Sequence, residues 1–268
     1  MFYCYNSSVD IDYISLGMLT LLGLIGGMLV NYVADTLPWK RRIAKPFCLS
    51  CDTTQPVVRY FIWPRRCKHC GTHRSVRTWL VEGIYIIITI WSWSHPANKL
   101  NFLLTWMLLI FFGVVIIIDI EHRLIMHPVS WVGMGLGLAV GIARNGWSET
   151  LIGGAVGYGL MWLLYHLGEL IMKGIARVKQ RTLDDVALGY GDVNLSGVLG
   201  LMLGWPLILP GLILAILIGG LVSLIYLIFM LLLGRYRLFT ALPYGPFLIA
   251  GGFLLLFFSE SIIKSLGY

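Results

Sequence analysis

Residues 103–118 read LLTWMLLIFFGVVIII, and the acidic residue Asp119 follows them directly. Apolar runs of about this length cross a hydrocarbon core of about 30 Å. Similar runs recur along the chain, so that 58% of its residues are hydrophobic and only 12% are charged. Backbone polar groups find no water in lipid, and therefore only helices or closed barrels span it. The sequence predicts an all-α polytopic membrane protein.

Eight apolar segments are expected to be transmembrane helices. They cover roughly residues 14–33, 80–94, 101–119, 125–143, 150–172, 190–204, 208–233 and 244–263. The first is long for a cleavable signal peptide and follows acidic rather than basic residues, so we expect it to be retained. The predicted regions are a first transmembrane segment at 1–33, a small cytosolic loop domain at 34–79 and a seven-helix membrane core at 80–268.

The net charge of +7 is distributed unevenly along the predicted topology. Seventeen Lys and Arg residues fall in the loops on one side, ten of them between Lys40 and Arg77, whereas Lys99, Arg144 and Lys264 fall on the other. Positive charge beside membrane spans records topology more often than a nucleic-acid partner. The positive-inside rule therefore places both termini outside the cytosol, the large loop inside it, and the chain in contact with membrane lipid rather than nucleic acid.

Asp119 and Asp192 are the candidate catalytic residues. An ionisable side chain at the end of a membrane span is costly and usually functional. The predicted topology brings both to the cytosolic face, although they are distant in sequence. Two adjacent carboxylates share a proton near neutral pH, so that one activates a water and the other donates to a scissile carbonyl oxygen. The pattern is typical of an aspartic peptidase; the alternative is that each aspartate caps a helix or pairs with a neighbouring His or Arg.

Two glycine-containing turns accompany these aspartates. Gly189 and Gly191 precede Asp192, where missing side chains allow unusual backbone angles and a close approach by an extended substrate. Pro243, Gly245 and Pro246 interrupt a later membrane-adjacent segment. Two prolines prevent regular helix there, so the segment either lines the substrate path or forms a plain turn before the eighth span.

Four of the five cysteines form two pairs separated by fifteen residues: Cys48, Cys51, Cys67 and Cys70. This spacing is typical of structural zinc sites, in which each pair donates two thiolates to one tetrahedral ion. Such an ion replaces the hydrophobic core that a short polar loop lacks. His69 and His73 are alternative ligands nearby. A disulfide or free thiols are the other interpretations, and the reducing cytosol argues against the disulfide.

The combined motifs resemble those of the bacterial type IV prepilin peptidases, also called prepilin leader peptidases. The similar elements are the segment from Asn31 to Pro38, the paired cysteine knuckles, Arg77 to Glu82, Ile118 to Arg123, Gly189 to Asp192 and Leu242 to Phe247. The resemblance implies an aspartic peptidase of the cytoplasmic membrane that cuts the basic leader from prepilins or pseudopilins at the cytosolic face. It places the catalytic pair at Asp119 and Asp192.

Family members commonly also methylate the new N-terminus, with S-adenosylmethionine as cofactor. This chain departs from the family pattern in the region associated with that activity, at Ala34, Asp35 and Pro64-Arg65. It also departs beside the aspartates, at Ile125-Met126-His127 and at Asn194. The resemblance therefore implies the peptidase more strongly than the methyltransferase.

Three other classes of protein share part of the pattern. Another GxGD-type intramembrane peptidase uses an aspartate pair, but the cysteine frame and the late Pro-x-Gly-Pro favour the prepilin family. A transporter uses membrane carboxylates for ion coupling and places them at mid-membrane depth, whereas these two lie near one face. An inert membrane scaffold with a zinc loop gives no reason for the aspartate pair.

Overall fold

A computed structural model describes residues 13–62, 64–179, 189–234 and 243–265. Among these residues the chain is helical, and its only β-pairing consists of two isolated bridges. The helices are α1 (Tyr13–Lys40), α2 (Val57–Phe61), α3 (Val76–Ser94), α4 (Phe102–His122), α5 (His127–Asn145), α6 (Trp147–Lys179), α7 (Tyr190–Leu203), α8 (Ile208–Leu232) and α9 (Gly245–Ser265). They fall into two compact units, Met1–Pro96 and Ala97–Tyr268.

Each predicted span coincides with one long helix, α1 or one of α3 to α9. In the described part of the chain, four helices are long and apolar enough to cross a membrane, namely α1, α4, α6 over Trp147–Lys173, and α8. The 14 residues of α7 extend about 21 Å, which is less than a hydrocarbon core of about 30 Å. The all-helical, multi-pass architecture is confirmed, while the number eight stays a prediction.

Lipid-facing surface is most evident on α8. Leu217, Leu221 and Ile225 are all more than half exposed, although the helix contains no charged residue. A helix that is apolar on all sides and unburied on one of them is expected where the surrounding solvent is lipid. This surface agrees with the membrane setting predicted from composition.

In the unit Ala97–Tyr268, α7 is the central helix and packs against α5, α6, α8 and α9. Ten of its 14 residues are buried. Small residues allow this packing, since a Cβ at Gly153 of α6 would lie 2.5 Å from the carbonyl oxygen of Gly200 on α7. Close helix approach through small residues is a usual way of packing helices in lipid. The result is a rigid central helix whose first turn carries Asp192.

In the unit Met1–Pro96, α1 packs against α3, and residues 41–75 form the loop between them. The loop contains the short helix α2 and the two cysteine knuckles, each closed by one antiparallel bridge, Phe47 with Thr54 and Arg66 with His73. The side-chain amide of Asn31 on α1 donates to the carbonyl oxygen of Thr78 on α3, at 3.1 Å. A hydrogen bond between the helices thus supplements their packing in this unit.

Candidate functional site

Asp119 lies in the last turn of α4 and is only 5% exposed. The helix ends at His122, and Arg123 adopts the left-handed conformation as its C-cap. The Arg123 N–H donates to the carbonyl oxygen of Asp119 at 2.8 Å. The backbone at Asp119 is therefore fixed by the helix end, and its side chain faces the interior of the unit.

Asp192 lies in the first turn of α7 and is 8% exposed. Gly189 is the N-cap, and the Asp192 carboxylate reaches back to the N–H of that residue. An acidic side chain at the third helical position is stabilised in this way by the unpaired N–H groups and the positive end of the helix dipole. The local sequence alone therefore orients this carboxylate.

The structure brings Asp119 and Asp192 into one buried region of the unit Ala97–Tyr268. Their charges interact with one another, and the Tyr244 phenol is near enough to feel the charge of Asp192. Tyr244 was not predicted as a site residue, although it is part of the Pro-x-Gly-Pro segment. Two acidic groups with restricted water access are the arrangement that proton-sharing chemistry requires.

Gly245 contacts the first aspartate directly. Its backbone N–H donates to Asp119 Oδ2 at 2.9 Å, and a Cβ at this position would lie 2.6 Å from the same oxygen. Each aspartate thus accepts a hydrogen bond from backbone at the start of a helix, Asp119 from α9 and Asp192 from α7. The helix-cap alternative describes part of the site, and it is compatible with a chemical role for the pair.

The prediction that two prolines prevent regular helix after residue 242 was wrong. Gly245 and Pro246 are the first two residues of α9. Proline is accommodated in the first turn because the N–H it lacks would have no helical partner there. Pro243 and Tyr244 form the turn that leads into the helix, and Leu242 lies outside the described residues.

The predicted unusual backbone angles at Gly189 and Gly191 were also wrong. Gly189 has φ −75° and ψ 139°, which any residue adopts, and Gly191 is helical. The close approach that was predicted for a substrate is made here by the protein itself, because a Cβ on Gly191 would lie 2.7 Å from Cβ of Ile125. Gly191 therefore lets the segment between α4 and α5 pack against the start of α7.

A second departure from the family pattern, Asn194, lines a cavity of about 220 Å³ between α5, α6 and α7. Ser130 and Tyr158 contribute its other polar side chains, and glycines form part of its wall. The Tyr158 hydroxyl is hydrogen-bonded to that of Tyr190, 2.6 Å away, within the Gly-Tyr-Gly-Asp motif. The two departures from the family pattern beside the aspartates therefore both lie at α7. Ile125 packs against Gly191 at its start, and Asn194 lines the cavity next to it.

The four cysteines converge in the unit Met1–Pro96. Their sulfur atoms all lie within 4.8 Å of one another, with Cys48 and Cys70 separated by 3.6 Å and Cys51 and Cys67 by 3.5 Å. Tetrahedral zinc with Zn–S bonds of about 2.3 Å places its sulfur ligands about 3.8 Å apart. A disulfide of about 2.05 Å does not fit these separations, and all four are free thiols. The cluster can hold one metal ion, and neither candidate histidine belongs to it.

The two knuckles repeat the same local structure. Asp52 N–H bonds to the Cys48 carbonyl, as Gly71 N–H does to that of Cys67, and both donors have positive φ. A threonine hydroxyl then contacts the second thiol of each pair, Thr53 with Cys51 at 3.0 Å and Thr72 with Cys70 at 3.1 Å. These threonines were not predicted, although the repeated pattern Cys-x-x-Cys-x-Thr identifies them.

Backbone donors favour thiolate in the second knuckle. N–H groups of Cys70 and His69 point at the Cys67 sulfur and lower its pKa to about 5, while burial raises the pKa of Cys48 to about 11. A positive ion stabilises the deprotonated form of every thiol that coordinates it. The donor set therefore fits zinc, with Cys67 as the most readily ionised ligand.

Buried ion pairs connect this cluster to the helices. Asp35 of α1 accepts hydrogen bonds from Tyr60 at 2.7 Å and from both Arg74 and Arg77. Arg65 pairs with Glu82 of α3 at 2.8 Å, with both side chains less than 10% exposed. Asp35 and Arg65, two departures from the family pattern, thus belong to two separate sets of buried ion pairs, Asp35 with Arg74 and Arg77, and Arg65 with Glu82. Glu82 therefore pairs with the cysteine loop through Arg65, whereas Arg77 pairs with Asp35 of α1.

A cavity of about 280 Å³ lies beside these ion pairs. It is lined by Asp35, Tyr60, Arg74 and Arg77 on one side and by knuckle residues, including Cys48 and Cys67, on another. Residues of both charge signs therefore line the same cavity. Burial, with the Asp35 charge as a further cause, raises the pKa of Tyr60, so its hydroxyl stays protonated as a hydrogen-bond donor.

Known proteins match both units. A model of the type IV leader peptidase family matches residues 102–224, and one of the bacterial peptidase A24 N-terminal domain matches residues 21–95. The chain belongs to the type IV leader peptidase family. It is a peptidase whose two aspartates lie within the first matched region and whose four cysteines lie within the second. The Pro243–Pro246 turn lies beyond both.

Curated relatives of this type IV leader peptidase carry the name prepilin leader peptidase/N-methyltransferase. One from Pseudomonas putida is 26% identical, with 92% of this chain and 91% of the relative aligned. One from Pectobacterium carotovorum is 29% identical, with 88% and 90% aligned. One from Aeromonas hydrophila is 26% identical, with 86% and 77% aligned. No solved structure is a significant match.

Proposed function

We propose that this peptidase is an aspartic endopeptidase that removes the leader from type IV prepilins or pseudopilins at the cytosolic face of the bacterial cytoplasmic membrane. The observation that carries the proposal is the meeting of Asp119 and Asp192, from α4 and α7, in one buried region. The names of the curated relatives support the substrate class.

The chemistry needs one ionised and one protonated carboxyl. The ionised aspartate takes a proton from water as the water oxygen attacks the scissile carbonyl carbon, while the protonated aspartate donates to the carbonyl oxygen. A tetrahedral intermediate results. Its collapse breaks the C–N bond, the leaving nitrogen gains a proton, and the aspartates return to their starting states. The assignment of roles is a property of the pair, because its two titrations are coupled.

Cleavage of a purified prepilin in detergent or lipid tests this proposal. Asp119→Asn and Asp192→Asn should each abolish leader release while leaving a folded protein, because an amide neither accepts the water proton nor supplies an acid. Glu169→Gln is the matched control, since Glu169 is a surface acid on α6 paired with Lys173. Leader release at the wild-type rate by either aspartate variant would refute the mechanism.

A second activity, N-methylation of the new N-terminus, is favoured by the cavity beside the cysteine cluster. S-adenosylmethionine supplies a methyl group bonded to a positively charged sulfur, and its amino-acid end carries both charge signs. Arg74 and Arg77 would hold its carboxylate, and Tyr60 would donate a hydrogen bond. Binding of the cofactor to the purified protein, measured by calorimetry for wild type and Arg74→Gln, tests the cavity. Mass spectrometry of the cleaved product, with and without the cofactor, tests the activity itself.

The Cys48, Cys51, Cys67 and Cys70 cluster is proposed to hold a structural Zn²⁺. Four sulfur ligands fill a tetrahedral ion and leave no open position for water. The orientation with both termini outside the cytosol also remains a proposal, and residues 1–12 and 266–268 lie outside the described residues. Thiol labelling in intact spheroplasts tests it, in a Cys4→Ser background that keeps the four knuckle cysteines: a reagent that cannot cross the membrane should label Lys99→Cys and leave Lys40→Cys unlabelled.

A further inference from the structure

The start of α9 has an unusual set of backbone donors. Pro243 and Pro246 have no N–H, and the Phe247 N–H is used by the carbonyl oxygen of Tyr244, 3.0 Å away. The first N–H groups of a helix have no partner within it. At the start of α9, the N–H of Gly245 is one of these groups. It donates a hydrogen bond to Asp119 Oδ2 at 2.9 Å. The two prolines remove two of the competing donors around the Gly245 amide.

We propose that Gly245 is a positioning residue, whose backbone N–H and absent side chain together fix the Asp119 carboxylate for reaction. The inference rests on the proposed aspartic mechanism and adds a third chain segment to it. The same turn also reaches the second aspartate, because the Tyr244 phenol lies within range of its charge. One short segment, Pro243 to Pro246, therefore contacts Asp119 directly and lies within electrostatic range of Asp192, although it lies outside the regions matched by the family models.

The need for glycine follows from the geometry. A Cβ at Gly245 would lie 2.6 Å from Asp119 Oδ2, well inside van der Waals contact. The atom that must move is the tip of a side chain rather than backbone, so the fold can absorb an alanine by rotating the carboxylate. Rotation breaks the 2.9 Å hydrogen bond and turns the acid away from its partner. The substitution should therefore cost activity much more than stability.

Gly245→Ala is the decisive variant, and two glycines of the same unit supply controls. Gly252→Ala, also on α9, would place a Cβ 2.8 Å from a Leu199 methyl and strains packing without touching either aspartate. Gly220→Ala on α8 meets no described atom within 4 Å. We expect Gly245→Ala to lower kcat by about 100-fold, as misplacing a reacting group by about 1 Å does, with KM changed less than about threefold. Both controls should keep kcat within about threefold of wild type.

The pH dependence of kcat separates positioning from general strain. The Gly245 N–H favours the ionised form of the carboxylate it contacts, so its loss should displace the pH–rate profile, whereas Gly252→Ala should leave the profile unchanged. Wild-type kcat with an unshifted profile in Gly245→Ala would overturn the inference. If Asp119→Asn is inactive in the same assay, that result leaves the aspartic mechanism standing. Full activity of Asp119→Asn would instead refute the mechanism itself.

A stability measurement covers the case in which Gly245→Ala does not fold. The alanine should become tolerable when Asp119 is itself shortened, because the clashing oxygen is then absent. We expect Asp119→Ala/Gly245→Ala to fold with a Tm within about 2 °C of that of Asp119→Ala. A double variant as unstable as Gly245→Ala alone would show that the glycine serves something other than Asp119, and would overturn the inference.

Discussion

The cysteine cluster and the aspartate pair differ in how much of the chain is needed to position their residues. Each knuckle is built from one turn, in which the same two hydrogen bonds and the same threonine contact recur. The aspartates lie at a helix end and a helix start, and they meet only because α7 packs at the centre of its unit. A site made from local turns is visible in residue spacing, whereas a site made between helices depends on every packed surface that supports them.

Loss of the metal from the cysteine cluster should have the largest effect on stability. Cys67→Ser takes away one of four ligands in a loop that has little core of its own, so we expect zinc to be lost. A structural zinc ion contributes about 10 kcal/mol or more of binding free energy in small domains, and the loop at residues 41–75 should unfold without it. Metal analysis and Tm measure the effect.

Cys4→Ser is the control for that substitution, since Cys4 lies outside the paired spacing. It should leave zinc content and Tm at wild-type values. A protein with all four knuckle cysteines replaced by serine that retained zinc and stability would contradict the metal assignment, and with it the idea that the loop depends on an ion for its structure.

Breaking the buried ion pairs should have the next largest effect, because they join the loop to the helices. Asp35→Asn leaves Arg74 and Arg77 without their shared carboxylate in a buried setting, where removal of one partner costs about 3 kcal/mol. Asp52→Asn is the matched control, because its pair with Lys40 is exposed and contributes under about 1 kcal/mol. Thermal unfolding compares the two; equal Tm values for both variants would show that the Asp35 network does not hold the loop.

A larger residue between α6 and α7 tests whether the packing of these helices positions Asp192. Gly153→Ala would drive a Cβ to 2.5 Å from a backbone oxygen of α7, and such strain typically costs about 1–3 kcal/mol. Because α7 carries Asp192, we also expect a several-fold fall in leader cleavage. Gly159→Ala on the same helix meets no described atom within 4 Å and should have neither effect. Unchanged stability of Gly153→Ala would argue against tight α6–α7 contact.

The smallest effect is expected at the threonines that support the knuckles. Thr72→Val removes the hydroxyl that contacts the Cys70 sulfur at 3.1 Å and keeps the side-chain volume. Loss of such an outer contact commonly weakens metal binding by about 10-fold to 100-fold. Competition with a zinc chelator measures it. If the two knuckles are equivalent, Thr53→Val should weaken binding to a similar degree, and a change confined to one variant would show that they are not.

The sequence predicted the positions of the eight long helices because apolar runs mark membrane segments directly, as residues 103–118 do for α4. It also predicted all four members of the cysteine cluster from their spacing. It was wrong about backbone angles at Gly189 and Gly191, because a glycine signals a missing side chain without telling which atom occupies the space. At Gly191 that atom belongs to Ile125, on a different segment.

Residue type and spacing by themselves determined the helical membrane class, the zinc-type knuckles and the two candidate acids, since hydrophobicity, thiol spacing and isolated charge are properties of neighbouring residues. Only the tertiary structure decided that Asp35 joins Arg74 and Arg77, that Tyr244 lies near Asp192, and that Gly245 holds Asp119. Those contacts join residues from 39 to 126 positions apart in the chain. Packing of whole helices brings such residues together, and no local pattern specifies it.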